Sequence, residues 1–180
     1  MLNGLDQQLF IWVTENRSNF LTSIFSVFSF WGSWQFIVAA MLLIIIVLAV
    51  KKKFVFIIPF ISIVAGSSIL AYLGKLYWAR LRPPDSVFIE TGFSFPSGHA
   101  TAAVALFAYL AFMAVKLNLG KKSGLIYSFT ILIILLIGSG RIYLGAHYLT
   151  DVLAGYLVGF VGLILGIIWT KKLILREGKK

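Results

Sequence analysis

The chain has 180 residues, 60% of them hydrophobic, with a mean hydropathy of +0.97, 12% charged residues and a formal charge of +10. That composition excludes an ordinary soluble globular domain and belongs to membrane proteins, while the length fits a single domain. With no cysteine in the chain, disulfides, thiolate metal sites, cysteine nucleophiles and palmitoylation are excluded as well.

The first residues, Met-Leu-Asn-Gly-Leu-Asp-Gln-Gln, lack the basic n-region of a secretory signal, so the later spans are expected to direct insertion. In 5–30, Asp6, Glu15 and Arg17 interrupt the apolar positions. Leu9, Phe10, Val13, Phe20, Leu21, Ile24 and Phe25 then read as short amphipathic helices lying in the interface. Residues 19–31 offer a sixth, poorer span, and they are short for one. Five segments, 31–50, 54–75, 97–115, 123–143 and 148–170, are long enough to cross about 30 Å of hydrocarbon at about 1.5 Å per residue. The expected fold is an all-α polytopic transmembrane bundle. It forms one domain, 1–180, made of an amphipathic segment (1–30), a transmembrane core (31–170) and a basic tail (171–180). In the last span Gly155, Gly159, Gly162 and Gly166 form a small-residue stripe, which close helix packing explains without a functional role.

Orientation follows from the basic residues. Lys51, Lys52 and Lys53, then Lys116, Lys121 and Lys122, then Lys171, Lys172, Arg176, Lys179 and Lys180 make eleven of the sixteen Lys and Arg residues. They fall on one side if the spans alternate, and the positive-inside rule makes that side cytoplasmic. The C-terminus is then cytoplasmic, and the loops 80–96 and 142–147 face the periplasm or cell exterior. The same placement at the ends of apolar runs assigns the excess charge to the bilayer surface rather than to nucleic acid.

Three polar stretches reach that outer face. The first is Lys75-Leu-Tyr-Trp-Ala-Arg80-Leu-Arg82-Pro83, the second Pro96-Ser97-Gly98-His99, the third Arg141-Ile-Tyr-Leu-Gly-Ala-His147-Tyr-Leu-Thr-Asp151. Charged groups at this depth are costly and usually functional. Lys75 and Arg82, two helical turns apart, share a face if the helix continues, and Pro83-Pro84 then ends it. Arg80 points elsewhere. Arg141 adds a guanidinium that grips two phosphate oxygens in a fork. Ser97 is suited to cap the next helix, and Gly98 lets an anion approach the free backbone N–H groups there. His147 and Asp151, four residues apart, are expected on one helix face, the carboxylate fixing the ring's tautomer. Snorkelling accounts for a single lysine, and capping for a bare Ser-Gly. Neither accounts for three cations gathered with both histidines of the chain, His99 and His147. Spacing alone leaves open which histidine attacks.

These stretches resemble the signature of the type 2 phosphatidic acid phosphatase (PAP2) superfamily of membrane lipid phosphatases, shared with vanadium-dependent haloperoxidases. That signature reads Lys-x6-Arg-Pro, then Pro-Ser-Gly-His, then Ser-Arg-x5-His-x3-Asp. The first two blocks match in full. In the third, Gly140 stands where the signature has serine, with Ser139 one position earlier. The resemblance implies that His147 attacks phosphorus and forms a phosphohistidine, that Asp151 orients it, and that His99 protonates the departing oxygen. It implies that Lys75, Arg82, Ser97, Gly98 and Arg141 hold the phosphoryl oxygens. The implied reaction is hydrolysis of a terminal phosphate from a lipid phosphate or diphosphate at the inner (cell) membrane. Relatives of this size act on undecaprenyl diphosphate, phosphatidylglycerophosphate, phosphatidate or the 1-phosphate of lipid A, and Arg80, Asp85 and Glu90 are candidates for selecting among them. No metal or other cofactor is expected, since only Asp151 of the six carboxylates accompanies the histidines. The alternative is a non-enzymatic membrane protein that binds haem through His99 and His147 or transports anionic lipid.

Overall fold

The computed structural model describes residues 4–117 and 123–178, and within them the chain is helical with no strand. In chain order the helices are α1 (Gly4–Glu15), α2 (Asn19–Trp31), α3 (Trp34–Val50), α4 (Ile57–Trp78), α5 (Gly98–Lys116), α6 (Ser123–Tyr143) and α7 (Leu149–Glu177). A 3-10 turn, Phe54–Phe56, leads into α4, and α5 carries a π-helical turn at Val104–Ala108. Of the positions used for orientation, Lys121, Lys122, Lys179 and Lys180 lie outside the described residues.

Four stretches, Phe54–Trp78, Gly98–Lys116, Ser123–Tyr143 and Leu149–Glu177, are long and apolar enough to cross a membrane. The fifth crossing differs from the sequence expectation. In place of a continuous helix over 31–50 there are α2 and α3, bent 45° against one another, which are long and apolar enough for a crossing only when taken together, as a broken span or a re-entrant pair, so 19–31 does not add a sixth span. The cause is local. Ser33 caps α3 by accepting from Phe36 N, and Gly32 fills the bend where a Cβ would lie 2.8 Å from Ile137 and 3.0 Å from the His99 ring. The bend therefore brings the α2–α3 joint against the second motif.

Between the helices, tight backbone approach does the work that the hydrophobic effect does in water. The glycine stripe of α7 serves two partners. A Cβ at Gly155 or Gly159 would lie 2.5–2.6 Å from the carbonyls of Ser97 and Thr101 on α5, and one at Gly162 or Gly166 would overlap Ser67 and Ile63 of α4. Deeper in the bundle Phe60 stacks on Tyr109 with ring centroids 5.8 Å apart, and Tyr109 Oη lies 2.6 Å from Thr170 Oγ1. Such an interhelical hydrogen bond contributes about 0.6–2 kcal/mol. Leu42, Leu43, Ile46, Leu132, Leu157 and Leu165 point outward, over half of each exposed, as a lipid-facing surface requires.

Both motif loops lie at one end. Val87 N donates to Leu144 O at 2.9 Å, and Ser97 N donates to Asp151 O at 2.9 Å, stitching the α4–α5 loop to the α6–α7 loop. Lys52, Lys53 and Lys116 line a common cavity at the other end. α1 lies over the motif end and turns Asp6 inward, 2% exposed, while Leu5, Ile11 and Trp12 face out.

Candidate active site

Lys75 sits in the last turn of α4, but the helix does not continue to Arg82. It ends at Trp78, with Ala79 in the left-handed conformation (φ 45°) and its N–H on Lys75 O. The expected two-turn stacking of Lys75 and Arg82 on one helix face is therefore wrong. Pro83 disfavours helical backbone at Arg82, and the segment after Ala79 continues without regular secondary structure to α5. Arg82 still reaches the site, by a different route. Its Nη1 lies 2.9 Å from Ala146 O and 3.3 Å from His147 Nε2, and its Nε and Nη2 donate to the carbonyls of Gly92 and Thr91 at 3.1 and 3.2 Å. Lys75 Nζ donates to Phe93 O at 2.7 Å and to Ser94 O at 3.2 Å. Both cations thus hold the same loop while facing its interior.

Ser97 caps α5, its buried hydroxyl 3.5 Å from Ala100 N, and a Cβ built at Gly98 meets nothing within 4 Å. An anion therefore has open access to the first N–H groups of α5, where the helix dipole favours it. Beside Gly98, His99 and Lys75 line a cavity of about 550 Å³ that runs between α3, α4 and α5 along Trp34, Ile37, Val64 and Ala71. His99 lies within electrostatic reach of Arg141, His147, Arg82 and Lys75.

Arg141, in the last turn of α6, is 2% exposed. Its Nη1 donates to Ser29 Oγ of α2 at 2.7 Å, its Nη2 pairs with Glu90, and its Nε is buried without a partner. Gly140, where the signature carries serine, lies against α2, with a Cβ there 3.2 Å from Phe25 O. A side chain at that position would require Phe25 of α2 to give by a few tenths of an ångström.

His147 and Asp151 are adjacent, though not stacked on a helix. α7 begins at Leu149, so His147 precedes the N-cap residue Tyr148 and Asp151 falls in the first turn. Asp151 Oδ2 accepts from Tyr148 N at 2.9 Å and stands 3.4 Å from His147 Nδ1, an ion-pair distance that is long for a hydrogen bond. Asp151 Oδ1 accepts from Arg80 Nη1 at 2.6 Å. Arg80 in turn donates through Nη2 to Asp6 Oδ2 at 2.7 Å and lies 4.4 Å from the Tyr148 ring centroid. Asp6 also accepts from Thr150 N at 3.0 Å, so α1 supplies a carboxylate to the start of α7. His147 is buried, and that burial, then the charges of Arg141, Lys75 and Arg82, hold its imidazole well below the ordinary 6.5 against the Ser94 carbonyl, which acts the other way. The ring thus presents Nδ1 to a carboxylate and Nε2 to the cations, an arrangement that can support nucleophilic attack through Nε2.

Residues 34–175 match the PAP2 superfamily. The chain belongs to that superfamily. Phosphatidylglycerophosphatase B of Bacillus subtilis (strain 168) is 37% identical over 90 residues, 48% of this chain. The match spans 44% of that relative's length. Among solved structures, the transmembrane PAP2-type phosphatidylglycerolphosphate phosphatase from Bacillus subtilis superposes with a TM-score of 0.88 at 25% identity, covering 93% of this chain and 85% of that one. LpxE of Aquifex aeolicus superposes with a TM-score of 0.70 at 26% identity, covering 89% and 93%. The chain is accordingly a multi-span membrane protein of the PAP2 type.

Three residues around this PAP2 site escaped the sequence reading: Asp6 and Ser29, and Glu90 in its place against Arg141. No local pattern marks Asp6 or Ser29, because their partners lie 74 and 112 positions away. Of the three loop residues singled out for substrate choice, Asp85 is tied to Arg17 (3.2 Å) and Arg80 to Asp151, while Glu90 alone faces the site cations.

Proposed function

We propose that the chain is a metal-independent lipid phosphatase that removes a terminal phosphate from a lipid phosphate or diphosphate through a phosphohistidine. One observation carries the reading: the same imidazole has Arg82 3.3 Å from Nε2 and Asp151 3.4 Å from Nδ1. His147 Nε2 bonds to phosphorus in line as the lipid P–O bond breaks, and His99 gives its proton to the leaving oxygen. Lys75, Arg82, Arg141 and the N–H groups at Ser97–Gly98 hold the equatorial oxygens, where charge develops. Asp151 stabilises the ring as it becomes positive. Water then attacks phosphorus, His99 takes up its proton, the P–N bond breaks, and phosphate leaves.

The apolar cavity beside Lys75 and His99 supports a lipid substrate whose tails approach between α3 and α4 while the headgroup meets the cations. The contacts of Asp6 with Arg80 and Thr150 support reading α1 and the transmembrane core as one catalytic unit. The basic residues at the end remote from the motifs support an active site on the extracytoplasmic side, with the C-terminus cytoplasmic. Phosphatidylglycerophosphate is the first substrate to offer, by likeness to phosphatidylglycerophosphate phosphatase of Bacillus subtilis. Undecaprenyl diphosphate, phosphatidate and lipid A 1-phosphate complete the panel. Detergent-purified protein releases inorganic phosphate from at least one of them in excess EDTA. Release from none, or release that needs an added divalent metal, contradicts the proposal.

A further inference from the structure

Glu90 places a carboxylate between two guanidinium groups. Its Oε1 pairs with Arg141 Nη2, and its Oε2 lies 3.6 Å from Arg82 Nη1. The surrounding backbone is held by the cations of the site, with Thr91 O and Gly92 O on Arg82 and Phe93 O on Lys75. The Glu90 side chain is 20% exposed, so water reaches it, whereas that of Arg141 is 3% exposed. Asp151 accepts hydrogen bonds from Arg80 and the Tyr148 N–H, whereas Glu90 pairs directly with Arg82 and Arg141.

A buried guanidinium without an anion is costly, and Glu90 meets that cost with the same donors that a phosphoryl group needs. Two carboxylate oxygens bridging two arginines reproduce two oxygens of a phosphate. A phosphate dianion carries more charge and a third oxygen for Lys75, so it can displace a single carboxylate. After hydrolysis the order reverses: three cations would hold free phosphate strongly, and an anchored carboxylate competes with it.

We infer that Glu90 is an internal anion that competes with phosphate for Arg82 and Arg141 and so limits retention of the product. The inference rests on the reading of those arginines as phosphate ligands, and it adds a residue outside the signature blocks to the reaction. No bond is made or broken by Glu90. Its effect is on the affinity of the site for anions.

The test is isothermal titration of inorganic phosphate into detergent-purified wild type, Glu90→Gln and Arg141→Gln. Removing a charge within about 4 Å of both guanidinium groups should tighten phosphate binding at least about tenfold in Glu90→Gln. Phosphate should also become a correspondingly stronger product inhibitor, and kcat should fall with KM. If Glu90 merely props the two arginines in place, Glu90→Gln binds phosphate no better than wild type, or worse, and the inference is overturned. Arg141→Gln separates this from failure of the site reading: it loses phosphate affinity if the reading holds, and unchanged affinity there removes both. Should Glu90→Gln not purify folded, Glu90→Asp withdraws the carboxylate by one methylene and gives an intermediate gain, whereas no gain overturns the inference.

Discussion

Arg80 Nη1 donates to Asp151 Oδ1 at 2.6 Å, while the other oxygen of that carboxylate faces His147 Nδ1. A cation this close would drain the charge that Asp151 offers to the imidazole. Asp6 offsets it from the far end of the guanidinium, 2.7 Å from Nη2. Asp6, Arg80 and Asp151 form a chain of alternating sign that runs from α1 to the His147 ring, anchored by Thr150 at the start of α7.

The consequence is a graded loss along that chain. Asp151→Asn mis-sets the imidazole and is expected to lower kcat by about 10³–10⁴. Arg80→Gln and Asp6→Asn should each cost about tenfold or more in kcat with KM little changed, since neither side chain is placed on the phosphate. They should also lower the thermal midpoint in detergent, because each leaves a buried carboxylate or guanidinium with a missing partner. Steady-state kinetics on one lipid phosphate decides: a change confined to KM would put Arg80 on the substrate instead.

Acid catalysis by His99 predicts a dependence on the leaving group. His99→Ala should slow a lipid monophosphate far more than an aryl phosphate, whose departing oxygen needs little protonation. Equal losses on both substrates would remove His99 from that role.

The ionisation of His147 can be read directly, since the chain has only two histidines. In a His99→Asn background a labelled histidine gives a single titrating signal. Burial and three cations disfavour the imidazolium, so the ligand-free ring should stay neutral as pH falls through 6.5 and gain its proton only well below. A midpoint at or above 6.5 would mean that Asp151 outweighs burial and the cations together.

Sidedness has a clean readout because the chain lacks native cysteine. Ile89, fully exposed, and Thr91 sit in the α4–α5 loop, and Ser123 opens α6 at the other end. Ile89→Cys and Thr91→Cys should react with a membrane-impermeant thiol reagent in intact cells, and Ser123→Cys only after the membrane is breached. The reverse pattern would put the site on the cytoplasmic side.

Local signals carried much of the fold and the site. Apolar run lengths located α4–α7, and the spacing of Gly155 to Gly166 announced the close packing of α7. Ser97 announced its cap. Failures occurred where geometry depends on distant partners. Ala79 adopts a left-handed conformation with no glycine or asparagine to mark it, and so the helical periodicity from Lys75 to Arg82 misled. The bend at Gly32–Ser33 was written locally, yet the unbroken hydrophobicity around it overrode the break. Asp6 read as an interruption of an interfacial helix because its partners, Arg80 and Thr150, are remote in sequence. Its burial makes sense only once α1 is folded over α7.

The central claim is that His147 carries the phosphoryl group, and trapping tests it most directly. Protein mixed with a phosphate-labelled lipid substrate and quenched in alkali within a turnover should hold label on His147, located by peptide mapping. His147→Ala should show neither label nor phosphate release. Label on His99, or wild-type-like release by His147→Ala, would contradict the account.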